Sequence, residues 1–213
     1  MPRTARYIEP NGFYHVISRS VNETWVLKDR NDFAHFLELM RRAKKDFPVL
    51  LFHYVLMNTH FHFVLQARDK QTLSNHLAYL KWYYTAWMRR KYGWKGPLWR
   101  ERYKSLPIEN EFYLVACGTY VEYNPVRAGI CTNPADYPYS SYQKYHEGIS
   151  NNLVDEYELS GRFKEIENLD FQAASAKKIF SRSSAIGNPF YVQKYRSLKM
   201  GVPSCVSCDS HKM

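Results

Sequence analysis

No stretch of the sequence comes near the roughly 18 consecutive apolar residues that a membrane-spanning helix needs. The N-terminus, MPRTARYIEPNGFYHV, also lacks the apolar run of a signal peptide, so a cytoplasmic protein is expected. Cysteine is scarce: Cys117 and Cys131 stand in unrelated contexts, and Cys205 and Cys208 form a lone CxxC near the end, followed by His211. This excludes a disulfide framework, and three candidate ligands in PSCVSCDSHKM fall short of the four of a structural zinc site. Internal repeats and low-complexity blocks are absent. Acidic residues are in deficit, with 20 Asp and Glu against 30 Lys and Arg, for a formal charge of +10. Such an excess favours polyanionic partners, nucleic acid ahead of an anionic membrane, because 18 Tyr and 5 Trp also offer surfaces on which bases stack.

What is present is enough to fold. Hydrophobic residues make up 45% of the 213 and aromatics 16%, which allows one compact domain with an appendage. After a Pro-Asn-Gly turn, GFYHVISRS (12–20) reads as a strand. In DRNDFAHFLELMRRAKKDFP, Phe33, Phe36, Leu37 and Met40 recur at helical spacing, with Asn31 or Asp32 as a cap. VLLFHYVLM and HFHFVLQ form a hairpin around Asn58 and Thr59. A second helix runs from about Thr72 to Tyr92 and ends at Gly93. PLWRERYKSLPI suggests a fourth strand with Arg100, Arg102 and Lys104 on one basic face. A third helix starts near Asn110 and ends where Pro125 forces Asn124 out of helical geometry. This order predicts an α+β fold: a ferredoxin-like antiparallel sheet with helices on one face and the other open for ligand. Residues 1–150 form the main domain in this reading. Residues 151–213 form a C-terminal helical extension with a disordered tail.

Two constellations could carry chemistry. Strand alternation puts His60, His62 and Gln66 on one face and Phe61, Phe63 and Leu65 on the other, so two imidazoles point the same way, close enough to share a metal ion. Two surface histidines on a solvated strand would look the same. On the third helix Tyr120 and Asn124 stand one turn apart on one face. A phenol with an ordinary pKa near 10 needs a polarised electrophile or a nearby cation to act as a nucleophile. The carbonyl of Asn124 could be a third metal ligand, leaving positions for a phosphate oxygen. The plainer reading has Tyr120 in the core and Asn124 capping the helix. Arg100, Arg102, Lys104 and Arg127 are candidate phosphate contacts, and Trp82, Tyr83, Trp94 and Trp99 candidate stacking platforms.

The stretch LMNTHFHFVLQ resembles the two-histidine signature of the single-strand (HUH) tyrosine transposases, and GTYVEYNPVRAGI resembles their tyrosine helix. With GPLWRERYKS between them and ADYPYSSY after, the four motifs follow the order of REP-associated tyrosine transposases from about Phe13 to Tyr145. The resemblance implies an Mg2+- or Mn2+-dependent endonuclease. Such an enzyme cuts single-stranded DNA, often beside a hairpin of repetitive palindromic sequence, through a 5′-phosphotyrosine, and rejoins ends as a monomer or homodimer. It places His60 and His62 at the metal and Tyr120 as nucleophile, with Asn124 as a further ligand. The chain departs from relatives at Asn58-Thr59, where Pro often precedes Asn or Glu, and at Glu122, where His is common. Two imidazoles suit zinc, nickel or copper better than Mg2+, so an oxygen-rich remainder of the shell is expected. The alternatives are a non-catalytic RNA- or DNA-binding module with an RRM-like sheet, and a metallonuclease that activates water without Tyr120. Every motif precedes Leu153, so the metal site is expected to survive removal of the residues beyond it.

Overall fold

Strand β1 (Gly12–Arg19) is followed by helix α1 (Arg30–Asp46), the hairpin β2 (Val49–Met57) and β3 (His60–Ala67), helix α2 (Lys70–Tyr92), strand β4 (Lys104–Ile108) and helix α3 (Glu111–Glu122). Two short helices, α4 (Asn124–Arg127) and α5 (Tyr142–Glu147), come next, then α6 (Ala174–Lys177), a π turn (Lys178–Arg182) and α7 (Pro189–Met200). The structure is a computed structural model that describes residues 8–156 and 174–200. The tail with Cys205, Cys208 and His211, expected to be disordered, lies outside the described residues. The four strands pair antiparallel in the order β2-β3-β1-β4. That is the α+β, ferredoxin-like sheet the sequence predicts. Among the described residues no helix is long and apolar enough to cross a membrane.

The sheet buries both faces. On one, Tyr14 and Val16 of β1 and Phe61, Phe63 and Leu65 of β3 meet Phe33, Phe36 and Met40 of α1 and Leu73, Leu77 and Leu80 of α2. On the other, Ile17, Val55, Val64 and Leu106 meet Leu114, Cys117, Tyr120 and Val121 of α3. Helices were expected on one face only; α3 instead covers the face expected to be open. The reason is composition: LVACGTYV leaves α3 with no wide polar side, and β2 (VLLFHYVLM) is apolar at nearly every position, the pattern of a strand covered on both sides. At Gly118, α3 comes so near the sheet that a Cβ would collide with the His53 imidazole. His53 in turn hydrogen-bonds Glu122 through Nδ1 at 2.9 Å, and Ser141 Oγ donates to the same carboxylate at 2.7 Å. Burial alone would raise the Glu122 pKa, but the charge of His53 and the hydrogen bonds from His146, His53 and Ser141 outweigh it and hold the group at about 2.

The expected fourth strand is shorter than the sequence pattern suggests. Residues before Lys104 are irregular, because Trp99 packs its ring edge-on to Phe61 and donates from Nε1 to the Lys81 carbonyl, drawing the chain toward α2. Arg100 and Arg102 are therefore exposed outside β4 and do not share a strand face with Lys104. Pro107 is tolerated because β4 is an edge strand, and Ile186 covers that edge by bonding Pro107 O and the Glu109 amide. Residues beyond 150 do not stand apart where they are described. Leu153 and Val154 join the first core, and Ala176, Phe180 and Ile186 join the second.

Helix α1 is capped by Asp29, two or three residues before the expected Asn31 or Asp32, in a reciprocal arrangement with Asp32. The fully buried Asp32 carboxylate also accepts from Trp87 Nε1 at 3.0 Å, Lys91 Nζ at 2.8 Å and Tyr92 OH at 2.8 Å, tying the start of α1 to the end of α2. Burial works to raise its pKa, but the hydrogen bonds from Lys91, Trp87, Lys28 and Tyr92 prevail and lower it. Its stabilisation is thus full above the ordinary carboxylate pKa and lost as pH falls through the lowered one. Asp32→Ala should cost about 3 kcal/mol in urea melts at neutral pH. The deficit should shrink in strong acid; one that persists undiminished there would refute the assignment.

Candidate active site

Three histidines gather on the sheet face beneath α3. His62 of β3 lies between Val55 of β2 and Ile17 of β1, and His60 lies between Met57 and Arg19. His15 of β1, paired with Val64, sits diagonally from His62 on the same face. The His60 and His62 rings are 5.0 Å apart, and those of His15 and His62 also 5.0 Å. His15 Nε2 and His62 Nδ1 are in hydrogen-bond contact at 2.7 Å, and His15 Nδ1 meets the Phe180 carbonyl at 2.6 Å. Burial, with the charges of Arg19 and Lys177, pushes His60 down to about 3. Burial takes His62 well below its ordinary value and, against the raising bond to Phe180, takes His15 to about 3. At neutral pH all three are uncharged imidazoles.

Tyr120 reaches this cluster from α3. Its ring lies edge-on to His15 with centroids 6.2 Å apart, and the Arg127 guanidinium sits 3.8 Å from the ring centroid. Arg127 Nη2 also donates to the Tyr120 carbonyl at 2.8 Å, so the cation is fixed beside the phenol. The Phe180 ring stacks on Tyr120 at 5.0 Å, and the Tyr120 hydroxyl hydrogen-bonds Ser181 Oγ at 2.8 Å. With Tyr120 only 2% exposed and His62 only 1%, the C-terminal π turn covers the cluster. Lys104 Nζ holds the turn by donating to Ser181 O at 2.6 Å. Tyr123, by contrast, closes α3 and turns its ring toward Tyr142. The Asn124 amide nitrogen donates to Val121 O at 3.0 Å and Tyr120 O at 3.4 Å, the helix-capping role, so a ligand role would fall to Oδ1.

A divalent ion fits part of this set. Metal–nitrogen bonds of about 2.1 Å put two imidazoles on one ion with ring centroids roughly 4.5–5.5 Å apart, which the 5.0 Å between His60 and His62 meets. His62 Nε2 is buried and has no hydrogen-bond partner among the described residues. No group of three or more His, Cys, Asp or Glu among the described residues could hold a metal, so the two imidazoles would need further donors to complete a shell.

Residues 10–124, more than half of the chain, match the sequence profile of the family described as "Transposase IS200 like". The chain belongs to this transposase family. A solved structure, that of a REP-associated tyrosine transposase bound to a REP hairpin, shares the fold at 19% identity and a TM-score of 0.59, over 75% of this chain and 100% of that one. A candidate transposase from Deinococcus radiodurans is 20% identical over 57% of this chain and 96% of that one, but a TM-score of 0.39 is too low to argue from. No curated protein matches.

Of the residues singled out in the sequence, His60 and His62 lie side by side, Tyr120 with Arg127 on its ring packs against His15 next to His62, Lys104 holds the π turn over Tyr120, and Arg100 and Arg102 stay on the surface. Of the aromatic platforms, Trp82 and Tyr83 are exposed, while Trp94 and Trp99 pack against the first core. Sequence reasoning missed His15, Phe180 and Ser181. For His15 a signal existed, since an ionisable residue interrupts the apolar run of GFYHVIS. For Phe180 and Ser181 none did, because only long-range packing brings them to Tyr120.

Proposed function

We propose that this transposase-family protein cuts and rejoins single-stranded DNA through a covalent bond between Tyr120 and a 5′-phosphate. The observation that carries the reading is that Tyr120 of α3, with Arg127 over its ring, packs edge-on to His15, which is bonded to His62 beside His60 on the sheet face beneath. In the first step the Tyr120 oxygen attacks phosphorus and the bond to the 3′ oxygen breaks. The phenol loses its proton, and the leaving strand gains one to end in a 3′ hydroxyl. In the second step a 3′ hydroxyl attacks the phosphotyrosine and frees Tyr120, so one phosphodiester replaces another without an external energy source. His60 and His62 would hold a divalent cation, Mg2+ or Mn2+, which supplies Lewis-acid polarisation of the phosphate. Arg127 keeps a positive charge where the phenol must give up its proton. The Ser181 hydroxyl occupies the approach to Tyr120, so substrate must exchange that hydrogen bond for its own.

An RRM-like module would stack bases on an open sheet face. Here α3 and the π turn cover that face, which weighs against it. A metallonuclease using water would have no use for a tyrosine fixed this way.

The REP hairpin in the similar structure, with the charge of +10, supports hairpin-bearing single strands as substrate. Labelled single-stranded hairpin DNA from the flanking genome should be nicked in Mn2+ or Mg2+, with protein attached to the 5′ end. Binding should weaken steeply with salt, by orders of magnitude between about 50 and 200 mM if six or more phosphates are contacted. Matched duplex should be cut poorly. Equal cleavage of duplex and single strand, or products without attached protein, would overturn the reading.

A further inference from the structure

The bonds around His15 fix where its hydrogens must be. The Phe180 carbonyl can only accept, so the 2.6 Å contact requires the hydrogen of His15 on Nδ1. In a neutral ring this leaves a lone pair on His15 Nε2, and the 2.7 Å contact then requires the hydrogen of His62 on Nδ1. That leaves a lone pair on His62 Nε2, the buried atom with no hydrogen-bond partner among the described residues. Reversing the relay would charge His15 in a water-excluded site and turn His62 Nε2 into a buried N–H with no acceptor.

We propose that His15 is a positioning residue that, anchored by the Phe180 carbonyl, sets the tautomer and ring orientation of His62 so that Nε2 faces the divalent cation. A ligating imidazole ordinarily has its other nitrogen held in this way by a carboxylate, carbonyl or water; here the holder is a second histidine. Because the relay ends on the backbone of residue 180, the C-terminal segment belongs to the framework of the site. The sequence suggests a metal site independent of everything beyond Leu153; the relay makes it dependent.

The proposal rests on His62 being a metal ligand, but its test does not need catalysis. In metal-free protein, long-range 1H–15N spectra of the histidine rings should show both His15 and His62 protonated on Nδ1. Mn2+ binding, followed by paramagnetic resonance without DNA, should weaken about 10–100-fold in His15→Leu. His15→Gln, whose side-chain carbonyl can accept from His62 Nδ1, should restore most of that affinity. His62 protonated on Nε2 in the metal-free protein, or unchanged Mn2+ affinity in folded His15→Leu, would overturn the proposal. If His15→Leu does not fold, the wild-type tautomers alone decide. A protein with the relay in place and no nicking activity would leave the relay standing and remove the transposase chemistry instead.

Discussion

Tyr120→Phe should bind hairpin DNA as the wild type does and form no covalent bond with it. The substitution removes one oxygen, so the stacking on Phe180 and the cation over the ring remain, and the lost hydrogen bond to Ser181 costs about 1 kcal/mol. No neighbour can take over. Tyr123 is about 300° around the helix from Tyr120, and its ring faces Tyr142. Trapping protein on a suicide oligonucleotide, with the leaving strand too short to remain paired, should give an adduct on the Tyr120 peptide in wild type and none in the variant. An adduct on Tyr123, or undiminished adduct in Tyr120→Phe, would show that a different oxygen attacks.

Nearly as large an effect is expected from His60→Ala and His62→Ala. Both rings are neutral imidazoles, so removing either takes away one of the two groups that would hold the cation of the proposed mechanism and, with it, the polarisation that the cation would supply. A loss of about 4 kcal/mol in transition-state stabilisation is roughly a thousandfold in rate. Hairpin affinity should change little, because the substitutions leave the net charge of +10 that favours phosphate untouched. His62→Ala should be the more damaging, since His62 is the more deeply buried and its Nε2 has no hydrogen-bond partner among the described residues to compete for it. Full nicking by the double variant in EDTA would remove the metal from the account.

Most of the sheet was legible because its signals are local. Alternation in HFHFVLQ separates the imidazoles from the phenylalanines without knowledge of the partners, and Asn58-Thr59 marks the hairpin. The side taken by α3 was not read from the open-face expectation, although the doubly apolar β2 carried the information. The surroundings of Tyr120 were hidden for a different reason. Ser181 lies 61 residues away and Phe180 lies 165 residues from His15, and no periodicity spans such separations. Arg127 was picked out as a phosphate contact from its place after the tyrosine helix; its seat on the Tyr120 ring depends on the one-turn α4 that continues beyond Pro125.

The close approach of α3 to the sheet makes the identities of three positions a joint matter in the family's history. A side chain at Gly118 is compatible only with something smaller than His53, so the two should change together in aligned relatives. Glu122 completes the set. Where a relative carries His in its place, retention of His53 would bring two imidazoles together without the carboxylate, and an acidic residue or a small one should stand at position 53 instead. Alignments in which His53, a bulky residue at 118 and His at 122 occur together with ordinary frequency would mean that the helix sits differently on the sheet in those lineages.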